Sequence, residues 1–148
     1  MTNREGQRTG RNEVEVANSG KPWLKFEQPA DWDRDVPYDI RERAFQFAVA
    51  TIKALNTLPK SLPSVTIQRQ LIRAATSIGA NLAEADNAES RADFRHKIAV
   101  SAKEARETQY WIRLLRATVS QHKVWQHQQR EIEEITRILG AILRNAKN

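Results

Sequence analysis

Histidine is the first residue type to test for chemistry, because imidazole titrates near neutral pH and is the commonest metal ligand. His122 and His127 are five residues apart, whereas two ligands on one helix face need a spacing of four. Asp93 and His96 reproduce the carboxylate-x-x-His spacing of di-iron bundles. Those sites need the motif from two helices and two further carboxylates, and the chain carries no second copy. All three histidines therefore read as solvated surface groups, with no metal. Glu104 and Glu107 are the other suggestive pair, since neighbouring carboxylates can do acid–base work. No nucleophile or histidine is spaced to join them, and pairing with nearby arginines is the simpler expectation. Gly79 and Gly140 are the only glycines after residue 38, too sparse for a loop that cradles phosphate. No nucleophile motif occurs, and the absence of cysteine excludes disulfides and thiolate metal sites. The expectation is a protein with no enzymatic activity and no cofactor.

Binding chemistry is better represented. Lys123, Arg130, Arg137 and Arg144 recur every seven residues. An ordinary helix drifts only about 20° per heptad, so these four cations form one ridge, opposite an apolar seam. Arg113 and Arg116 add to it, while Glu131, Glu133 and Glu134 dilute its field. The net charge of +6 is unevenly placed: residues 1–38 hold six Lys/Arg against seven Asp/Glu, and residues 39–148 hold 18 against 11. A basic folded part attracts polyanions, of which nucleic acid is the commonest. The competing reading is a solubilising surface. A basic amphipathic helix can also lie on a membrane, but four helices sharing a core argue against that.

Four helical stretches must position these groups. The first is expected over about Ile40–Leu58, capped by Asp39 with Glu42 three residues on. Its proposed face is Arg41, Phe45, Ala48, Ile52 and Leu55, and Pro59 and Pro63 break the chain after it. The second covers about Ser64–Ala85, with a stripe of Ile67, Leu71, Ala74, Ile78, Leu82 and Ala85 that Ser77 and Asn81 adjoin. The third starts at Ser90, with Asp93 in its first turn, and carries Phe94, Ile98, Ser101, Ala105, Thr108, Ile112, Leu115 and Val119. Ser101, Ala102 and Ala105 make the middle of that stripe small enough for another helix to come close. The fourth, about Lys123–Ala146, repeats Trp125, Gln128, Ile132, Ile135, Leu139 and Ile142 in a heptad pattern. Short connections between four amphipathic helices give an all-α, up-down-up-down four-helix bundle over residues 39–148.

Residues 1–38 are set apart. The first twenty are polar and aperiodic, and read as a disordered tail. Residues 21–38 carry Trp23, Phe26, Trp32 and Tyr38 among Pro22, Pro29 and Pro37, and the three prolines argue against a helix. They read as a flexible, extended arm that docks on its own bundle, a neighbouring subunit or another partner. No apolar run approaches the roughly 18–20 residues of a membrane-spanning helix, and no secretory signal core is present. A soluble, cytoplasmic location is expected.

The stretch from Gln70 to Glu84, QLIRAATSIGANLAE, followed by Ser90, Phe94 and Ile98 to Glu104, resembles the four-helix-bundle family of 23S rRNA intervening-sequence proteins. The likeness covers about residues 39–146. One departure is Ala85, where the family usually has glycine, which bears on the turn after the second helix. The resemblance implies a homo-oligomeric ring, typically a pentamer, without accepted enzymatic activity. It also implies a relation to the accessory variability proteins of diversity-generating retroelements, which bind nucleic acid and a reverse transcriptase. Arg73, Ser77, Asn81, Glu84 and Glu104 match family positions and are expected to be structural or interface residues. The leading expectation is thus a nucleic-acid-binding accessory protein whose cations Lys123, Arg130, Arg137, Arg144, Arg113 and Arg116 touch phosphate. A protein–protein scaffold is the alternative.

Overall fold

Three of the four helices begin where a side chain takes up an orphan N–H group of the first turn. The computed structural model describes residues 39–146, so the arm and its aromatics lie outside the described residues. Helix α1 (Ile40–Leu55) is capped by Asp39, whose Oδ1 accepts from the Arg41 backbone N–H at 2.9 Å. Helix α2 (Leu62–Asp86) follows Ser61, whose side chain makes no cap bond; Pro63 sits in the first turn instead. Proline is tolerated there because its missing N–H has no helical partner to lose, so Pro63 starts the helix rather than breaking the chain. Helix α3 (Arg91–Thr118) has Ser90 accepting from the Asp93 N–H at 3.1 Å, while the Asp93 carboxylate accepts from the Glu89 N–H at 3.2 Å. Helix α4 (Lys123–Asn145) is capped by the imidazole of His122, whose Nδ1 accepts from the Val124 N–H at 3.2 Å.

Connections of four to six residues send each helix back along the last. Every helix runs close along its two neighbours, and the backbones of the diagonal pairs stay farther apart, as in an up-down-up-down bundle. The α2–α3 contact is the most extensive and the α1–α4 contact the least. No strand occurs among the described residues.

The stripes expected of α2, α3 and α4 are the buried ones, apart from Val119, which caps the end of α3 and is half-buried. Ser101, Ala102 and Ala105 are buried, and the Ser101 hydroxyl donates to the Ile78 carbonyl of α2 at 3.0 Å. So short a side chain reaches a neighbouring backbone only where two helices nearly touch. At Ala85 the helix simply continues, and the alanine is fully buried.

Helix α1 departs from expectation. Its buried face is Ile40, Ala44, Phe47, Thr51, Ala54 and Leu55. Of the proposed face, Leu55 is buried, while Arg41, Phe45, Ala48 and Ile52 point outward, with Phe45 58% and Ile52 38% exposed. Both stripes are apolar at helical spacing, so periodicity alone does not choose between them. What chooses is Gln128 of α4, buried in the core, whose amide donates to Thr51 Oγ1 at 3.0 Å and to the Phe47 carbonyl at 3.4 Å. The helix also ends at Leu55 rather than Leu58, which is buried in the turn beyond it.

Ile112 is fully buried. Ile112→Ala should destabilise the fold by about 2–5 kcal/mol, from lost transfer energy and the cavity left behind; urea denaturation measures it, and a loss within about 0.5 kcal/mol would contradict this packing.

Asp39 supports a second expectation. Burial alone would raise its carboxyl, but hydrogen bonds from the Arg41 side chain and backbone outweigh that and hold it below its ordinary value of 3.8. Arg41 also bonds Asp86 at 2.6 Å, and both carboxylates hold its guanidinium protonated. The folded state binds a proton at Asp39 less readily than the unfolded chain does. Its contribution to stability is therefore present above the ordinary carboxylate range and is lost as pH falls through the lowered value. The stability difference between the parent and Asp39→Asn should accordingly shrink below about pH 4. A difference that stays constant from neutral pH into that range would show that the cap ion pair carries no linkage.

Candidate nucleic-acid interface

The α4 cations project as their heptad spacing requires. Lys123, Arg130, Arg137 and Arg144 are all exposed, on the side of α4 away from Trp125, Ile132, Ile135, Leu139 and Ile142. The ridge is not uniform. Arg137 is held by Glu134 through two hydrogen bonds of 2.6 and 3.0 Å, which neutralises it locally. Arg144 folds back along its own helix, its Nη1 lying 3.4 Å from where a Cβ on Gly140 would stand. Glu133 is exposed beside the ridge, while Glu131 turns toward α1 and binds Arg43 at 2.5 and 3.0 Å.

Helix α3 contributes more than its two expected arginines. Arg113 is exposed and Arg116 half-buried. Arg113 belongs to an unbroken outer stripe of Ala92, His96, Ala99, Lys103, Arg106, Tyr110, Arg113 and Ala117, at alternating spacings of four and three, and every member is exposed. The stripe contains no carboxylate. Two acids of this helix are engaged elsewhere: Glu107 binds Arg73 and Asp93 caps the helix. Tyr110 is 57% exposed within the cations and rests edge-on against Trp111, with centroids 5.0 Å apart. An aromatic face between cations can stack a base while its neighbours hold phosphate. The sequence reading passed over Tyr110; the signal available was the four-three spacing of exposed residues opposite the apolar stripe.

The family-motif residues sit apart from both basic faces, along the α2–α3 seam. Ser77 donates to the Arg73 carbonyl at 2.8 Å, and Asn81 donates to the Ser77 carbonyl at 2.8 Å. Both polar side chains are thus satisfied within α2. Arg73 crosses to Glu107 of α3 at 2.5 Å, and Glu107 also accepts from the Trp111 indole at 3.2 Å. Glu84 crosses to Lys97, which keeps that ammonium protonated to higher pH. Glu104 is half-buried, and its Oε2 has no hydrogen-bond partner among the described residues.

His96 and His127 are exposed, and His122 serves as a helix cap. Among the described residues no three His, Asp or Glu side chains cluster as a metal ion would need. No described helix is long and apolar enough to cross a membrane.

Comparison with known proteins agrees with this architecture. The family model for 23S rRNA-intervening sequence protein matches residues 37–141. Among five solved chains that match, one is a protein of unknown function from the S23 ribosomal protein family of Bacteroides thetaiotaomicron VPI-5482. It is 33% identical, covers 71% of this chain and 98% of its own, and superposes with a TM-score of 0.65. A search of the curated proteins finds no match. The matched residues span all of α1, α2 and α3 and most of α4: the chain belongs to the 23S rRNA-intervening sequence protein family.

Proposed function

We propose that this protein is a non-enzymatic accessory protein that binds nucleic acid and assembles as a homo-oligomeric ring, pentameric as its family relationship suggests. In this reading it assists a reverse transcriptase or is associated with an rRNA intervening sequence. The observation that carries the reading is the acid-free outer stripe of α3, where Lys103, Arg106 and Arg113 flank the exposed ring of Tyr110. Lys123, Arg130, Arg137 and Arg144 of α4, with Arg116, extend the positive surface. Binding of this kind is electrostatic in the main, because each neutralised phosphate releases part of a counterion. Arg73 and Glu84 act in this reading as structural residues that tie α2 to α3, with Ser77, Asn81 and Glu104 as structural or interface residues beside that seam.

The test compares two triple variants of the full chain. Lys103, Arg106 and Arg113 are changed to Gln in one, and Arg130, Arg137 and Arg144 in the other. Glutamine keeps helix propensity nearly unchanged, and exposed charges add little to stability, so both should fold with the parent's Tm. The slope of log affinity against log salt should flatten by about 0.7–0.9 for each lost phosphate contact. The α3 variant should lose more, because Arg137 is already neutralised by Glu134. The loss should be alike for all sequences, since phosphate contacts carry no base information. Equal, salt-independent binding by parent and both variants would leave a protein–protein scaffold as the better description.

Assembly is checked separately. Light scattering at micromolar concentration should give a mass several times the 17.0 kDa of one chain. A monomer would sink the ring.

A further inference from the structure

The outward stripe of α1 does not simply face water. Phe45, Ala48, Val49 and Ile52 form one wall of a groove whose floor is Thr76, Gly79, Ala80 and Ala83 of α2, enclosing about 560 Å³. That is a volume in the range of ligand pockets, and nothing within the described bundle fills it.

We propose that this groove is the seat of the chain's own N-terminal arm, residues 21–38. The first argument is where the arm joins the bundle. Asp39 both caps α1 and lines the groove, so Tyr38 is attached at the groove's mouth. From Asp39 to Ile52 is about 20 Å of helix. An extended chain advances about 3.3 Å per residue, so the segment from Tyr38 back to Trp32 matches the length of the groove. Trp23 and Phe26 supply further rings upstream.

The second argument is chemical. Two helices have spent their backbone hydrogen bonds internally, so this groove has none to offer an incoming strand. A segment with Pro22, Pro29 and Pro37 suits it. Proline removes N–H donors, and an extended polyproline-type backbone stays solvated while its side chains pack.

Two details of the groove ask for such an occupant. Asp86, at its mouth, gives one carboxylate oxygen to Arg41, while its Oδ1 is buried with no hydrogen-bond partner among the described residues. A buried acceptor of that kind needs a donor, and an indole or backbone N–H of the arm is the nearest source along the chain. Gly79 has no unusual backbone angle, and no atom lies within 4 Å of where its Cβ would be. Neither the turn of the helix nor packing within the bundle requires glycine there, and its absent side chain leaves open space on the floor of the groove.

The absence of native cysteine makes the test direct. In the full chain, Thr76→Cys or Ala83→Cys is combined with a second cysteine at Ala30, Asp33 or Val36, and disulfide formation is followed on non-reducing gels. At least one arm position should join a groove cysteine within a single chain, about tenfold faster than it joins Ala99→Cys on the exposed face of α3, because docking raises the local concentration of the pair. Gly79→Leu, whose side chain enters open space, should slow that cross-link at unchanged helical content. Cross-links between two copies through their groove cysteines would overturn the proposal and make the groove an interface between subunits. Rates no faster than the Ala99→Cys control, or a Gly79→Leu chain that cross-links like the parent, would overturn it as well.

Discussion

The close approach of α2 and α3 is the constraint on which the rest of the bundle depends. Its marker is the hydroxyl of Ser101, buried on α3 and bonded to the backbone carbonyl of Ile78 on α2. A carbonyl oxygen has two lone pairs, so Ile78 can serve its own helix and still accept this bond. Left unmade, the buried hydroxyl would cost about 1–3 kcal/mol, so the bond holds the two helices at one distance and in one register. The small side chains Ala102 and Ala105 permit that distance. Ion pairs mark the same register on either side: Glu84 with Lys97 toward one end, Arg73 with Glu107 toward the other. Each step down α2 is matched by an equal step up α3, as antiparallel packing demands.

The other two helices are positioned by polar contacts set within apolar seams. Gln109 of α3 donates to Thr136 of α4 at 2.7 Å. Gln128 of α4 donates to Thr51 of α1 at 3.0 Å. Leucine or isoleucine at these places would bury as well but would tolerate a shift along the seam. An amide paired to one hydroxyl does not, since a slip leaves the amide without its acceptor. As a result, α3 and α4 present their outer faces in a defined relation. The basic stripe of α3 and the ridge of α4 stand on rigid elements, which is where a binding surface is best held.

Helix α1 has two apolar faces, and the bundle uses one. Phe47 and Thr51 go inward, and Phe45 and Ile52 remain on the surface above small residues of α2. Apolar side chains scattered on a surface need no explanation, but a contiguous groove of them marks an interaction site. The proposed nucleic-acid surface and the proposed docking groove therefore occupy different parts of this molecule, the first on α3 and α4, the second between α1 and α2.

How much of this was legible in the sequence varies from helix to helix. The heptad of Trp125, Gln128, Ile132, Ile135, Leu139 and Ile142 identified the buried face of α4, and the ridge of Lys123, Arg130, Arg137 and Arg144 followed from it. The stripes of α2 and α3 and the caps at Asp39 and Ser90 were equally plain, because periodicity and capping are local and one apolar face outweighed every other. Four such helices with short connections leave little choice but an all-α bundle. On α1 two apolar stripes compete, and the choice between them was made by Gln128, 77 residues beyond Thr51 in sequence. The acids were decided in the same way. Which of Glu107 and Glu131 cancels which arginine depends on helices meeting in space, so only the tertiary structure shows Glu107 on Arg73 and Glu131 on Arg43, whereas Glu134 and Arg137 pair within one helix at a spacing of three. Sequence patterns settle what each helix is, because those forces act within a few residues. Which of its faces is left for a partner is settled by neighbours far along the chain.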